Sequence, residues 1–287
     1  MRLQNGVGIL LNGLDLNGMD EFGVSWKTND IPNWSARAGT TGKTNQNTYD
    51  DYGTATPAFA TPMAYNIVGR AFAPSRLAAL AAADRFNEAI PFRVRGPLAV
   101  QIDGVLRHRL VRLEDPDPKV NLPTNQLLQF DIQVSAPDAR QFAGDGSLVG
   151  SGSVRLFLPL VSSTFAPPLT PPFTITATSV SGSSIVHSAG STTPRASARF
   201  SGPLDHPVLR TSDGQYLKLD LIIPAGQFVD VDFDKRTTKI NGLVDRSGDL
   251  LGDYLRIPPG VDLTVALTAD SYNPDGFVDL TWLDAWL

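Results

Sequence analysis

The chain has 287 residues, 42% of them hydrophobic, a mean hydropathy of −0.07 and a net charge of −5. That length buries a real core and suggests two domains, and no apolar run approaches the roughly 20 residues that span a bilayer, so membrane insertion is not expected. The absence of cysteine excludes disulfides, thiolate metal sites and cysteine nucleophiles.

Charge is uneven along the chain. Residues through Ala143 hold 14 Lys plus Arg against 14 Asp plus Glu, and those beyond hold 10 against 15. An acidic half lacks the electrostatic footprint that phosphates require, so nucleic-acid binding is not expected. Met1-Arg-Leu-Gln-Asn lacks the features of a signal peptide, so secretion by one is not expected either.

In chain order, Gly8-Ile-Leu-Leu-Asn-Gly13 reads as a short strand meeting a turn, followed by Asn17-Gly18 and a strand over Val24 to Trp26. Residues 27–58 lack periodicity and are rich in Asn, Thr, Gly and Asp, which predicts a long polar arm. A strand follows over Met63 to Phe72, with Tyr65 and Ile67 facing in. Pro74-Ser75 then opens the single convincing helix, about 75–90, whose apolar stripe is Ala79, Leu80, Ala83, Phe86 and Ile90. Pro91 ends it. Further strands are predicted at Phe92 to Val94, Leu98 to Ile102, Val105 to Leu113 and Leu127 to Val134, with a hairpin at Asp103-Gly104. Gly144-Asp-Gly-Ser-Leu-Val-Gly-Ser-Gly-Ser153 is the candidate linker, which gives domains of 1–145 and 146–287.

The second domain reads as strand and turn almost throughout, the pattern of a β-sandwich. Strands are predicted at Val154 to Leu160, Phe173 to Thr178, Arg199 to Phe200, Tyr216 to Ile223, Gln227 to Asp234, Thr238 to Ile240, Leu263 to Thr268 and Phe277 to Trp286. The Pro-rich run 167–172 is turn or extended backbone, and Ser179 to Ser197 reads as a mobile stretch. In Gly226 to Gly242, Val229, Val231 and Phe233 alternate with Asp230, Asp232 and Asp234, and Asn241-Gly242 supplies a turn.

Tests for chemistry return little. Gly6-Val-Gly8 begins a dinucleotide fingerprint, but Leu11 stands where its third glycine belongs. There is no nucleophile elbow, and His108, His187 and His206 have no metal-site spacing. Asp230, Asp232 and Asp234 share one strand face, read as a solvated or salt-bridged edge, with a calcium site as the alternative. Trp282 and Trp286 alternate with Leu283 and Leu287, which favours packing over sugar stacking. Trp26 and Trp34, beside or within the polar arm, anchor it either to its own domain or to another subunit. No catalytic, cofactor-binding or metal residue is assigned.

The strand ending in Asp234, the Thr-rich edge, the Asn241-Gly242 turn, the Pro-Gly turn in Arg256-Ile-Pro-Pro-Gly260 and the final strand to Leu287 occur in an order that resembles the C-terminal domain of distal tail proteins of long-tailed, siphovirus-type phages. The resemblance implies a mainly β protein with an N-terminal ring-forming domain and a galectin-like C-terminal β-sandwich. It further implies a homohexameric ring in the virion tail tip, made in the host cytoplasm, that contacts a tail tube protein and tail tip or fibre proteins. It implies no enzyme and no cofactor. A carbohydrate-binding module and a cell-wall glycan hydrolase are the rival readings. The Pro/Ser/Thr stretch 162–198 departs from the family pattern.

Overall fold

Paired turn residues set much of the strand register. Asn12 (φ 47°) with Gly13 (φ 90°), and Asp103 (φ 50°) with Gly104 (φ 81°), take the left-handed backbone that a two-residue hairpin demands. The computed structural model describes residues 8–29, 31–41, 44–46, 53–55, 59–114, 118–146, 151–159 and 182–287. They fall into two units, Met1–Val149 with Trp286–Leu287, and Gly150–Ala285.

The first unit contains β1 (Gly8–Leu11), β2 (Leu14–Asp15), β3 (Ser25–Thr28), β4 (Thr40–Thr41), β5 (Thr44–Gln46), β6 (Gly53–Ala55), β7 (Phe59–Ala60) and β8 (Met63–Phe72). After α1 (Arg76–Ala89) come β9 (Gly96–Ile102), β10 (Val105–Leu113), β11 (Lys119–Asn121), β12 (Leu127–Ala136) and β13 (Gln141–Ala143). One antiparallel run is β2–β1–β9–β10–β13, and another is β3–β8–β12, with β11 and the end of β10 on the far side of β12. Tyr65, Ile67, Phe130, Ile132 and Val134 alternate inward from β8 and β12 to meet Ile9, Leu11, Leu98 and Val100 from the other run.

Ser75 caps the helix, its Oγ accepting the Ala78 N–H at 3.2 Å. Ile90 is extended (φ −70°, ψ 120°), as a residue before proline prefers. The buried face of the helix is Ala79, Ala82, Phe86 and Ala89; of the stripe read from periodicity, Ala79, Phe86 and Ile90 are buried and Ala83 is partly buried, while Leu80 faces out. Leu80 is 44% exposed and Leu77 78%. Small alanines let the helix approach the sheet closely while one large ring, Phe86, fills the remaining space. Phe92 to Val94 forms no strand, and both Phe92 and Val94 are exposed; regular pairing resumes at Gly96.

The second unit begins with β14 (Gly152–Phe157), β15 (Ser183–Val186), β16 (Thr192–Ser201), β17 (Leu204–Asp205), β18 (Val208–Thr211), β19 (Tyr216–Leu219) and β20 (Ile222–Ile223). It continues with β21 (Phe228–Asp232), β22 (Thr237–Ile240), β23 (Val244–Asp245), β24 (Leu250–Gly252), β25 (Leu263–Thr268) and β26 (Phe277–Trp286). One sheet has the order β14–β26–β16–β21–β22–β23, and a five-stranded sheet has the order β15–β25–β18–β19–β24. Phe200, Val229, Val231, Val278 and Leu280 from the first share a core with Val186, Leu209, Leu217, Val265 and Leu267 from the second. The inward set includes Val229, Val231 and Phe233, as their alternation with the aspartates predicts.

Two expectations for this unit change. Residues 182–197, read as mobile, supply β15 and most of β16, because Pro194, Ala196 and Ala198 alternate inward between outward polar residues. Tyr216 to Ile223 divides at Asp220-Leu221 into β19 and β20. The predicted strand at Phe173 to Thr178 and the Pro-rich run lie outside the described residues.

Asn241 (φ 50°) and Gly242 (φ 73°) turn the chain from β22 to β23. A Cβ at Gly242 would meet no neighbouring atom within 4 Å, so the cost of a substitution there is purely backbone strain. Gly242→Val is therefore expected to destabilise by about 1–3 kcal/mol. Denaturant midpoints of the parent and the variant measure it, and equal midpoints would mean the turn tolerates a β-branched residue.

Candidate assembly surface

The polar segment 27–58 is not the irregular loop that its lack of periodicity suggests. Thr40 pairs with Ala60 and Thr41 with Phe59; farther along, Thr44, Asn45 and Gln46 pair with Ala55, Thr54 and Gly53. Threonine's branched Cβ suits extended backbone even where no apolar alternation marks a strand. At the base, Thr61 N–H donates to the Gly39 carbonyl at 2.8 Å, which closes the two ends on each other. Among the described residues these strands pair only with each other, in two-stranded sheets. An isolated two-stranded ribbon is marginal in water, so this one is suited to pairing or packing against another molecule.

The tryptophans beside it are committed elsewhere. Trp26 (3% exposed) and Trp34 (4%) lie in the core of their own unit, so neither is offered to another subunit in this conformation. Trp26 stacks on Phe86 at 6.1 Å, and Phe86 in turn lies 4.4 Å from Phe130. Trp34 packs on Tyr65 at 5.5 Å, and its carbonyl accepts from Gln141 Nε2 at 2.7 Å. The buried Arg109 guanidinium lies 5.4 Å from both the Trp34 and Tyr65 rings. Burial lowers its pKa to about 10, against the opposing charge of Asp138. Trp34 thus fixes the approach to the ribbon on the core.

Asp20 ties the loop before β3 to the helix. Its carboxylate accepts from Trp26 Nε1 (3.0 Å), from the Val24 and Phe22 N–H groups (2.9 Å each) and from Arg85 (2.8 Å). Burial alone would raise its pKa, but the Trp26 bond, the Val24 bond, the Arg85 charge and the Phe22 bond together hold it below 3.8. A lowered carboxylate contributes stability above its unfolded pKa, and that stability is lost as pH falls through the folded value. Asp20→Asn is therefore expected to cost about 2–4 kcal/mol at pH 7, since it leaves Arg85 without its partner charge. The difference from the parent is expected to shrink below pH 4; a pH-independent difference in unfolding free energy would contradict this role for the charge.

A second candidate surface is an open groove of about 470 Å³ lined by Lys27, Arg70, Lys119, Gln129 and Asp131. Lys27 stands directly opposite Arg70 on neighbouring strands, and the Asp131 carboxylate lines the same groove.

In the second unit, strand register explains the aspartate edge. Arg155 faces Asp279, Asp279 faces Arg199, Arg199 faces Asp230, Asp230 faces Lys239, and Lys239 faces Asp245. Charges therefore alternate in sign along one row across the sheet. Arg199 grips Asp230 with two bonds (2.6 and 3.0 Å), and Arg155 grips Asp279 likewise (2.7 and 2.8 Å). Those bonds raise the pKa of each arginine. Asp232 accepts from the Asp234 and Lys235 N–H groups at 3.1 and 2.9 Å. Asp230 and Asp232 are therefore held in an ion-paired edge. Arg199 lies on a strand distant in sequence, so local reading of the aspartate edge does not reveal it. Arg199 and Arg155 also cover the Phe228 and Phe277 rings at 4.3 and 4.0 Å. Trp282 is buried and donates to the His187 carbonyl at 3.1 Å. None of these three rings is a bare platform for sugar stacking.

Residues 188–286, which span β16 to β26, match the family described as siphovirus-type tail component, C-terminal domain. No curated protein sequence matches the chain. The fold is similar to the crystal structure of SPP1 Dit, described as a paradigm of the hub adsorption apparatus in phages that infect Gram-positive bacteria. That match has a TM-score of 0.63 at 11% identity and covers 99% of this chain and 100% of that one. It is also similar to a chain of the phage p2 baseplate in its activated conformation with Ca (TM-score 0.55, 12% identity, 97% of each chain). A third similar chain comes from the same baseplate with Sr (TM-score 0.54, 11% identity, 96% of this chain and 97% of that one). Residues 188–286 thus match the siphovirus-type tail component C-terminal domain family, and the fold of the whole chain is similar to that of SPP1 Dit.

Proposed function

We propose that this protein is a structural component of a phage virion, the distal tail protein at the baseplate hub that joins the tail tube to tail tip or fibre proteins. The observation that carries the reading is the full-length likeness to SPP1 Dit, combined with the family match over 188–286. In this reading residues 1–145 form a homohexameric ring. Heterologous contacts repeated by rotation close into such rings, and the ribbon at 40–60 is suited to reach the adjoining copy. Residues 146–287 form an outward β-sandwich of galectin-like type. The role is non-catalytic and needs no cofactor, and the protein is made in the host cytoplasm before incorporation into the tail tip.

The alternating charge row and the covered Phe228 and Phe277 rings favour this reading over a carbohydrate-binding module on that face. Electron microscopy of the purified chain in negative stain tests it. Closed rings with a central opening are the expected images. A field of single particles without rings, at concentrations where the protein stays soluble, would oppose the reading.

A further inference from the structure

Four titratable side chains of the second unit converge away from the surfaces described above. Asp205 ends β17, His206 follows it in left-handed backbone (φ 46°), Asp220 lies between β19 and β20, and Asp270 follows β25. Backbone bonds join these segments: the Asp270 N–H donates to the Asp205 carbonyl (2.9 Å) and the His206 N–H to the Leu221 carbonyl (3.2 Å). The His206 Nδ1 is 2.7 Å from Asp205 Oδ1 and 3.6 Å from Asp270 Oδ2, and its Nε2 is 3.8 Å from Asp220 Oδ1. Asp205 and His206 are half-buried and Asp270 is exposed.

We propose that Asp205, His206 and Asp270 bind one divalent transition-metal ion of the zinc class, with Asp220 orienting the imidazole from behind. Ions of this class sit about 2.0–2.2 Å from nitrogen and carboxylate donors, so donors on one ion lie roughly 3–3.5 Å apart. One donor atom from each of the three residues falls within 4.8 Å of the other two; the 2.7 Å contact of His206 Nδ1 with Asp205 is a direct hydrogen bond that an ion would replace, and Asp270 lies 3.6 Å from the same nitrogen. A nitrogen donor among oxygens selects against calcium and magnesium, which take oxygen ligands, and suits zinc, cobalt or nickel.

Two further observations point the same way. A ligating histidine characteristically presents its other ring nitrogen to a carboxylate, which fixes the tautomer and ring orientation, and Asp220 stands on that side of His206. Charge also favours a dication: three carboxylates surround the imidazole, and the neighbouring lysine is Lys218, 3.8 Å from Asp220. Three protein donors with one exposed side leave a position for water or for a ligand from another protein. This inference stands independently of the ring reading.

The test uses tag-free full-length protein titrated with Zn²⁺ and Co²⁺ by calorimetry, with the visible spectrum of bound Co²⁺ as a second readout. One equivalent of either ion is expected to bind, and Zn²⁺ is expected to raise the melting temperature. His206→Asn, chosen because asparagine tolerates left-handed backbone, and Asp270→Asn should each abolish binding. Asp220→Asn should weaken it by about 10-fold or more. His187→Ala, which removes the imidazole paired with Asp262 at 2.7 Å, should leave binding unchanged. Metal-free melting curves confirm that each variant is folded. Absence of stoichiometric binding at millimolar Zn²⁺ would overturn the proposal. So would binding that survives His206→Asn, or that disappears with His187→Ala; the cluster would then be an ion-pair network only.

Discussion

Replacing Phe86 with alanine is expected to destabilise the first unit by about 3–5 kcal/mol, the range for truncating a buried aromatic ring. Phe86 is the one large side chain on the buried face of α1, and it touches both Trp26 and Phe130. The remaining contacts on that face come from Ala79, Ala82 and Ala89, which cannot move inward to fill the space. The helix would thus lose its main hold on β8 and β12. Denaturant unfolding of the full chain, followed by tryptophan fluorescence, measures the effect. A loss below about 1 kcal/mol would show that the sheet closes over the cavity and that the helix is held by its ends.

Deleting the ribbon is expected to abolish self-assembly while leaving the fold intact. Gly39 and Thr61 are already bonded at 2.8 Å, so a short Gly-Ser link between them replaces residues 40–60 without moving either end. Ile31 and Trp34 remain in place on the core, since both precede the deletion. Thr40, Thr41 and Ala60, at the ribbon's base, are exposed, so little of the unit's own core is lost there. Light scattering should therefore report a monomer, and the melting temperature of the first unit should match that of the parent monomer. An unchanged oligomer would show that the ribbon is not the joining element and would move attention to the exposed Leu77 and Leu80 on α1.

The sequence was readable where local chemistry decides the outcome. Asn12-Gly13 and Asp103-Gly104 turn where they are predicted to, because a two-residue hairpin leaves few alternatives to those residues, and Asn241-Gly242 turns as predicted with Leu243 completing its loop. Met63–Phe72, Val105–Leu113, Leu263–Thr268 and Phe277–Trp286 are strands with the predicted bounds, since apolar alternation or β-branched content marks them. Reading failed where the partner was distant or the pattern weak. The sequence of the ribbon strands has no apolar alternation of period two, so composition suggested a loop. The helix turned Leu80 outward because closeness of approach, not side-chain hydrophobicity, chose its face. The Arg199–Asp230 grip depends on register between segments thirty residues apart, which neither segment encodes alone.

Native mass spectrometry of the full-length chain tests the structural-ring reading most directly. The expected spectrum is dominated by one species of six times 30.8 kDa, with no ladder of intermediate sizes. A spectrum of monomer alone at the highest soluble concentration would contradict a self-assembling ring.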